Sequence, residues 1–539
     1  MSIFPVSFLR YLLPGVYLVL FITADLAAGC GLAGKALAKN LSDSAHAVIK
    51  PGHPINPDNI PKTPREMRGV WIATVKNMDW PSKPGLPVAR QKAELRAMLN
   101  KAAKLKMNTV FFQVRPAADA FYKSPYEPWS YFLTGKQGRP PQPYYDPLKF
   151  AIKEAHRRGL RLQAWFNPFR AYHPAEPKHF APKSIINTHP GWVVKYGPYY
   201  WINPGIKAAR RYVIKVILDV AKRYNIDGIH LDDYFYPYPR KNSNGQKIPF
   251  PDGKTYRKYV KKHGQIKRGN WRRQNIDDFV KQLHDTLNKA DPKISFGISP
   301  FGIWQPGHPA QIKGYNAYAE IYADSRRWLR NGWVDYLAPQ LYWSVEKKAQ
   351  SFPVLLKWWE KQNFFNRHIW PGIHTSKVGK SWSASEIRRQ IQCVRSQKGA
   401  DGEIHFSIKA LMKNSGHIDK ALRQEYARPA LTPSSPWMPD QAPPQPDASL
   451  RNSGTQLVIN FTPVHTRDPR LWVIKTKYGS HWSIDIVPGQ KQRKTIPGHN
   501  KYGGFQGAVI SSVNRLSNQS PPQILLPVMK NIGAPASPK

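Results

Sequence analysis

The segment Asp227-Gly228-Ile229-His230-Leu231-Asp232-Asp233-Tyr234-Phe235-Tyr236-Pro237 sets two carboxylates at the end of a strand-like run and follows them with aromatic rings. Cleavage of a glycosidic bond needs both kinds of group. Positive charge developing at the anomeric carbon must be met by a carboxylate, the leaving oxygen must receive a proton, and flat rings offer stacking surface to a sugar. Strand period two puts Asp232 on one face with Gly228 and His230, opposite Ile229 and Leu231. Asp232 is therefore expected to serve as nucleophile, base or cation stabiliser. Asp233 points away unless the strand has already ended, and a role in capping the loop accounts for it equally well. A partner carboxylate is sought on the loops after the first two strands: Asp79, in Asn77-Met78-Asp79-Trp80, or Asp119, which follows Gln113 and Arg115 out of one strand end. Asp119 is slightly favoured, although an Asp that organises its loop through Arg115 fits as well. The expected sugar contacts are Gln113, Arg115, Trp165, Asn167, His230, Gln340, Tyr342, Trp343 and His374, with Trp343 included only if its strand stops before it. A metal-dependent deacetylase built on His230, Asp232, His374 and His405 is the weaker alternative. No close His pair supports it, so neither metal nor cofactor is expected.

These side chains need a frame. Eight runs of β-branched and aromatic residues alternate with amphipathic stretches: 68–75, 109–115, 160–167, 227–234, 294–301, 334–343, 368–374 and 403–408. Helical spacing is plain at 89–106, 208–223 and 276–290. Eight parallel βα units predict an α/β fold, a (β/α)₈ TIM barrel, with a doubly wound open sheet as runner-up. In a buried parallel sheet the helices cover the outward side chains, so polar residues that alternate with apolar ones are expected to face inward. This assigns Gln113 and Arg115, Gln163, Trp165 and Asn167, His230 and Asp232, Gln340 and Tyr342, His374, and Glu403, His405 and Ser407 to a polar cup at the carboxyl ends.

The remainder is organised around that barrel, expected over 66–427. A leader at 1–30 has Arg10 before an apolar stretch from Tyr11 to Ile22 and ends in Leu26-Ala27-Ala28-Gly29-Cys30, which resembles a lipobox. Lipidation at Cys30 and a membrane anchor at the periplasmic face of the outer membrane are expected; secretion with Cys30 removed is the alternative, and an uncleaved anchor a third. Residues 31–65 read as a Pro-rich tether and 428–449 as a linker. Strand-like runs at 456–461, 471–477, 481–486 and 507–513 then predict a small all-β sandwich of fibronectin type III kind over 450–530, with a flexible tail at 531–539. With 41% apolar residues in 539, the chain is not a disordered one, and two cysteines exclude a disulfide framework. Lys and Arg number 81 against 34 Asp and Glu, a formal net charge of +47. Such a field attracts polyanions. Nucleic acid would explain the charge but not the leader or the carboxylate-ended strand, and is not the expected partner.

Several motifs together resemble the glycosyl-hydrolase-like 10 family: Glu66-Met67-Arg68-Gly69-Val70-Trp71, Gln113-Val114-Arg115-Pro116, Ala164-Trp165-Phe166-Asn167-Pro168, Asp227 to Pro237, Ser299-Pro300-Phe301-Gly302 and Pro339-Gln340-Leu341-Tyr342-Trp343. The resemblance runs from Glu66 to about Leu411 and implies a (β/α)₈ glycosidase of the bacterial envelope, often a lipoprotein. At least one relative cleaves peptidoglycan glycan strands stripped of stem peptides, so an acidic aminosugar polymer, peptidoglycan first, is the expected substrate. The fourth run is also similar to that of family 18 chitinases, with Asp232 at their inner aspartate, but Tyr234 stands where they carry a glutamate. That departure leaves open a glycan-binding scaffold that does not cut.

Overall fold

The computed structural model describes residues 55–464 and 469–527. Cys30, the leader and most of the expected tether lie outside the described residues, as does the tail. The order of elements is β1 (Met67–Ile72), α1 (Val88–Lys104), β2 (Thr109–Arg115), α2 (Pro147–His156), β3 (Arg161–Phe166), α3 (Lys207–Arg223), β4 (Gly228–Leu231), α4 (Arg268–Ala290), β5 (Ser295–Ile298), β6 (Tyr336–Leu337), α5 (Phe352–Glu360), β7 (His368–Ile369), β8 (Gly372–Ile373), α6 (Ala384–Ser396) and β9 (Gly402–His405).

Local sequence explains the elements. In α1, Leu95, Met98, Leu99 and Ala102 recur at helical spacing and are buried, while Lys101 and Lys104 close its last turn. Asp146 caps α2 by accepting from the Lys149 N–H at 2.9 Å, with Pro147 at the first helical position. The strands are buried along their whole length, as expected where a parallel sheet is covered on both faces.

All nine strands form one parallel sheet in the order β7-β6-β5-β4-β3-β2-β1-β9-β8. The two edge strands are consecutive in the chain, separated only by Trp370 and Pro371, so both ends of the sheet lie on one short stretch. Pro371 has no N–H to give a ladder. On one side of the sheet Met67, Trp71, Phe111, Trp165, Tyr336, Trp370 and Ile404 form a single cluster. Gly228 sits where this packing is tightest: a Cβ there would lie 1.8 Å from the Gln163 side-chain oxygen and 2.3 Å from the Ser295 hydroxyl.

The last run corrects the expected facing. Ile404 and Phe406 join the cluster with Trp71. Glu403 and His405 turn the other way, where the Tyr426 hydroxyl donates to Glu403 and lies 2.8 Å from His405 Nε2, while Thr375 Oγ1 is 2.8 Å from His405 Nδ1. A buried polar side chain thus faces whichever layer supplies its partner, and here that layer is the outer one.

Two further sheets follow. One joins β10 (Asp447–Ser453), β11 (Gln456–Thr462) and β14 (Arg493–Pro497); the other is built on β12 (Leu471–Tyr478), β13 (His481–Pro488) and β15 (Gly503–Val513). Leu457, Ile459, Phe461 and Ile496 of the first pack with Trp472, Ile474, Phe505 and Ile510 of the second. The expected linker and the end of the expected tether are both fastened down. Trp437 Nε1 donates to Asp335 at 2.8 Å, Arg65 reaches the Ser517 carbonyl at 2.8 Å, Lys475 donates to the Pro61 carbonyl at 2.7 Å, and Asp447 already opens a strand. These sheets meet the amino ends of the parallel strands, where buried Asp227 takes His156 at 2.9 Å and Arg470 at 3.0 Å.

Candidate active site

Strand β4 stops at Leu231, so both following carboxylates escape the strand's alternation. Asp232 and Asp233 line the same cavity, about 250 Å³, at the carboxyl ends of the parallel strands. Its other walls are Trp71, Ala73, Val75, Met78, Gln113, Trp165, Arg170, Tyr234, Ser299, Gln340, Tyr342 and Phe406. A wider depression of about 710 Å³, among Asn414, His417, Asp419, Lys420, Arg423 and Gln424, lacks both a carboxylate pair and aromatic walls.

A line of side-chain amides leads to Asp232. Gln113 Oε1 accepts from the backbone N–H groups of Thr74 and Val75, each at 2.8 Å. Its NH₂ therefore faces outward and donates to Asn167 Oδ1 at 2.5 Å, which turns the Asn167 NH₂ onto Asp232 Oδ2. The orientation of both amides is thus fixed by two main-chain donors. Asp232 Oδ1 also accepts from the Tyr234 N–H at 3.4 Å, and the Tyr238 hydroxyl donates to Asp233.

Burial, and then the neighbouring charge of Asp233, push the Asp232 carboxyl up to about 7. Asp233 is raised as well, chiefly by burial, against hydrogen bonds that favour its anion. Two buried carboxyls so close together do not both ionise readily, so below neutrality the pair retains a proton.

The floor is neutral. The Trp71 indole can only donate, and it lies 3.1 Å from His230 Nε2, which fixes that nitrogen as an acceptor and leaves the ring proton on Nδ1, 3.0 Å from the Tyr336 hydroxyl. Burial lowers the His230 imidazole to about 3.

Of the expected residues, Asp232, Asp233, Gln113, Trp165, Gln340 and Tyr342 meet in the cavity. The Trp165 indole nitrogen is buried without a partner. Asn167 stands behind Asp232, and His374 behind Tyr342 with ring centroids 4.7 Å apart. Other residues lie elsewhere. Arg115 is completely buried, holding Glu127 in a fork at 2.7 and 2.5 Å and the carbonyls of Asn167 and Pro168 at 2.6 and 3.0 Å. Asp119 accepts from the Ala117 N–H at 2.9 Å, and burial raises its carboxyl to about 6, away from the cavity lining. Asp79 ties two loops together, accepting from the Ala73 N–H at 2.8 Å and from the Ser407 hydroxyl at 2.7 Å. Trp343 packs edge-on against Phe301 at 5.7 Å. Arg170 was not anticipated; it follows β3 in a stretch without periodic signal. Trp71 could have been found by extending period two through Gly69, Trp71 and Ala73.

A family model described as glycosyl hydrolase-like 10 matches residues 66–388. Glycosyl hydrolase YngK of Bacillus subtilis (strain 168) is 39% identical over 454 residues, which is 81% of this chain and 86% of the relative. Glycosyl hydrolase DigH of Escherichia coli (strain K12) is 35% identical over 354 residues, 62% of this chain and 78% of the relative. Among solved structures, the PgaB (BpsB) glycoside hydrolase domain from Bordetella bronchiseptica aligns with a TM-score of 0.45 at 16% identity, covering 67% of this chain and 98% of that one. The chain belongs to the glycosyl hydrolase-like 10 family.

Proposed function

We propose that the glycosidic bonds this enzyme hydrolyses are those of peptidoglycan glycan strands, and that Asp232 and Asp233 work as its acid–base pair. The observation that carries the reading is two carboxyls opening into one cavity at a strand end, both held toward their protonated form by burial. The protonated member gives its proton to the leaving oxygen as the glycosidic C–O bond breaks, the ionised member faces positive charge at the anomeric carbon, and water adds to that carbon and returns a proton to the pair. Trp165, Tyr234 and Tyr342 supply ring surface. In this reading Asp79 and Asp119 organise loops. The net charge of +47 suits an acidic aminosugar polymer whose muramic acid residues carry carboxylates.

The same proposal includes the frame. With β7 and β8 as two halves of one stave, the parallel sheet is a closed (β/α)₈ barrel, and the two C-terminal sheets are a fibronectin type III-like sandwich beneath it. The enzyme would work at the periplasmic face of the outer membrane, tethered through a lipid on Cys30.

Purified sacculi, intact and after an amidase has removed the stem peptides, test the reading. New reducing ends and muropeptide-free saccharides are expected from the stripped material, with Asp232→Asn slower by about 10²–10⁴-fold. Undiminished cutting by that variant rejects the catalytic assignment. Loss as complete in Asp119→Asn would move the second role there.

A further inference from the structure

We propose that Arg170 determines specificity, its guanidinium receiving a carboxylate carried by the sugar itself. Arg170 opens a short strand, Arg170–Tyr172, that pairs with Tyr199–Ile202 just beyond β3. It lines the cavity yet is only 6% exposed. Its Nε donates to the Pro116 carbonyl at 2.9 Å, which fixes the plane of the group, and Tyr234 lies over it at 5.5 Å. Among the described residues its terminal nitrogens make no hydrogen bond and no ion pair within 4.0 Å. Arg115 and Arg272, also buried, are committed to Glu127 and Asp252, and buried Arg161, away from the cavity, gives a terminal nitrogen to the Thr432 hydroxyl. A buried cation without an anion is costly, and the planar fork of arginine matches a carboxylate through two parallel N–H donors. Arg170 influences both Asp232 and Asp233 but contacts neither, so a ligand carboxylate can reach it without displacing one of the protein's own.

This inference rests on reading the cavity as the sugar site. Two sugar-borne carboxylates share the chemistry, the lactyl ether of muramic acid and the acid of a uronate. The full chain is given three polymers: amidase-stripped glycan strands with free lactyl carboxylates, the same strands with those carboxylates coupled to methylamine, and hyaluronan oligosaccharides. Capping is expected to lower kcat/KM about 10- to 100-fold, mainly through KM. Arg170→Gln should abolish the preference for free-acid over capped strands, over and above any change common to both that follows from its charge near Asp232 and Asp233, with Arg170→Lys recovering part of the preference. Hyaluronan cut with the same dependence on Arg170 would assign the uronate instead of the lactyl group. Equal cutting of free and capped strands by the parent overturns the inference while hydrolysis stands, and needs no folded variant. A parent that cuts none of the three takes the site reading down with it.

Discussion

Asp232 receives its strongest support from an amide that cannot turn around. Because the Thr74 and Val75 N–H groups claim Gln113 Oε1, Asn167 must present its NH₂ to the carboxylate. That donor favours the anion and opposes the burial that raises the group to about 7. Asn167→Ala should therefore let the pair hold its proton to higher pH, carrying the alkaline limb of the kcat/KM profile upward by about one to two pH units, since a hydrogen bond to a charged group is worth about 1.5–3 kcal/mol. A slower enzyme with an unmoved limb would refute this role. Arg170 shows where residue-level reading stopped: period two identifies side chains inside strands, and Arg170 lies beyond one. Asp233 shows the reverse. Its entry to the cavity depends on β4 ending at Leu231, a boundary that alternation does not mark.

At the scale of elements, the Arg115–Glu127 pair joins the end of β2 to its following loop and to the backbone after β3. Both side chains are fully buried, so removing one partner strands a charge. Glu127→Gln is expected to lower stability by about 3–5 kcal/mol in urea unfolding, against less than that for a surface pair such as Lys281–Asp285. A loss under 1 kcal/mol would contradict the geometry. The strands themselves were legible because buried parallel β-structure draws on β-branched and aromatic residues with few breaks: the run at 109–115 coincides with β2. The facing of the last strand was not legible. Glu403 and His405 alternate with apolar residues as a cup-facing set would, but Tyr426 and Thr375, which satisfy them, lie far away in the chain. Alternation gives the two faces of a strand, and only the partners give which face is inward. The strand Asp447–Ser453 was hidden for a related reason, its polar composition reading as linker until it pairs with β11.

For the molecule as a whole, the C-terminal sheets seat against the amino ends of the parallel strands through Arg470 and Asp227, opposite the end where Asp232 and Asp233 open. For the proposed peptidoglycan substrate, capture would fall to the cavity and to the basic surface. Attraction between a strongly cationic protein and an anionic polymer weakens with ionic strength. Raising salt from about 50 mM to about 500 mM should increase KM on stripped sacculi several-fold while kcat changes little. Equal salt sensitivity in kcat would mean that surface charge reaches the chemical step.

The line from main chain through two amides to a carboxylate contains no ion that can be diluted or swapped. Its set point is carried by burial, by fixed hydrogen bonds and by charges inside the cavity, and brine has little purchase on it. An enzyme built this way can lose its grip on a charged substrate when the surrounding brine thickens, while each bond it does hold is broken at the same acidity as before.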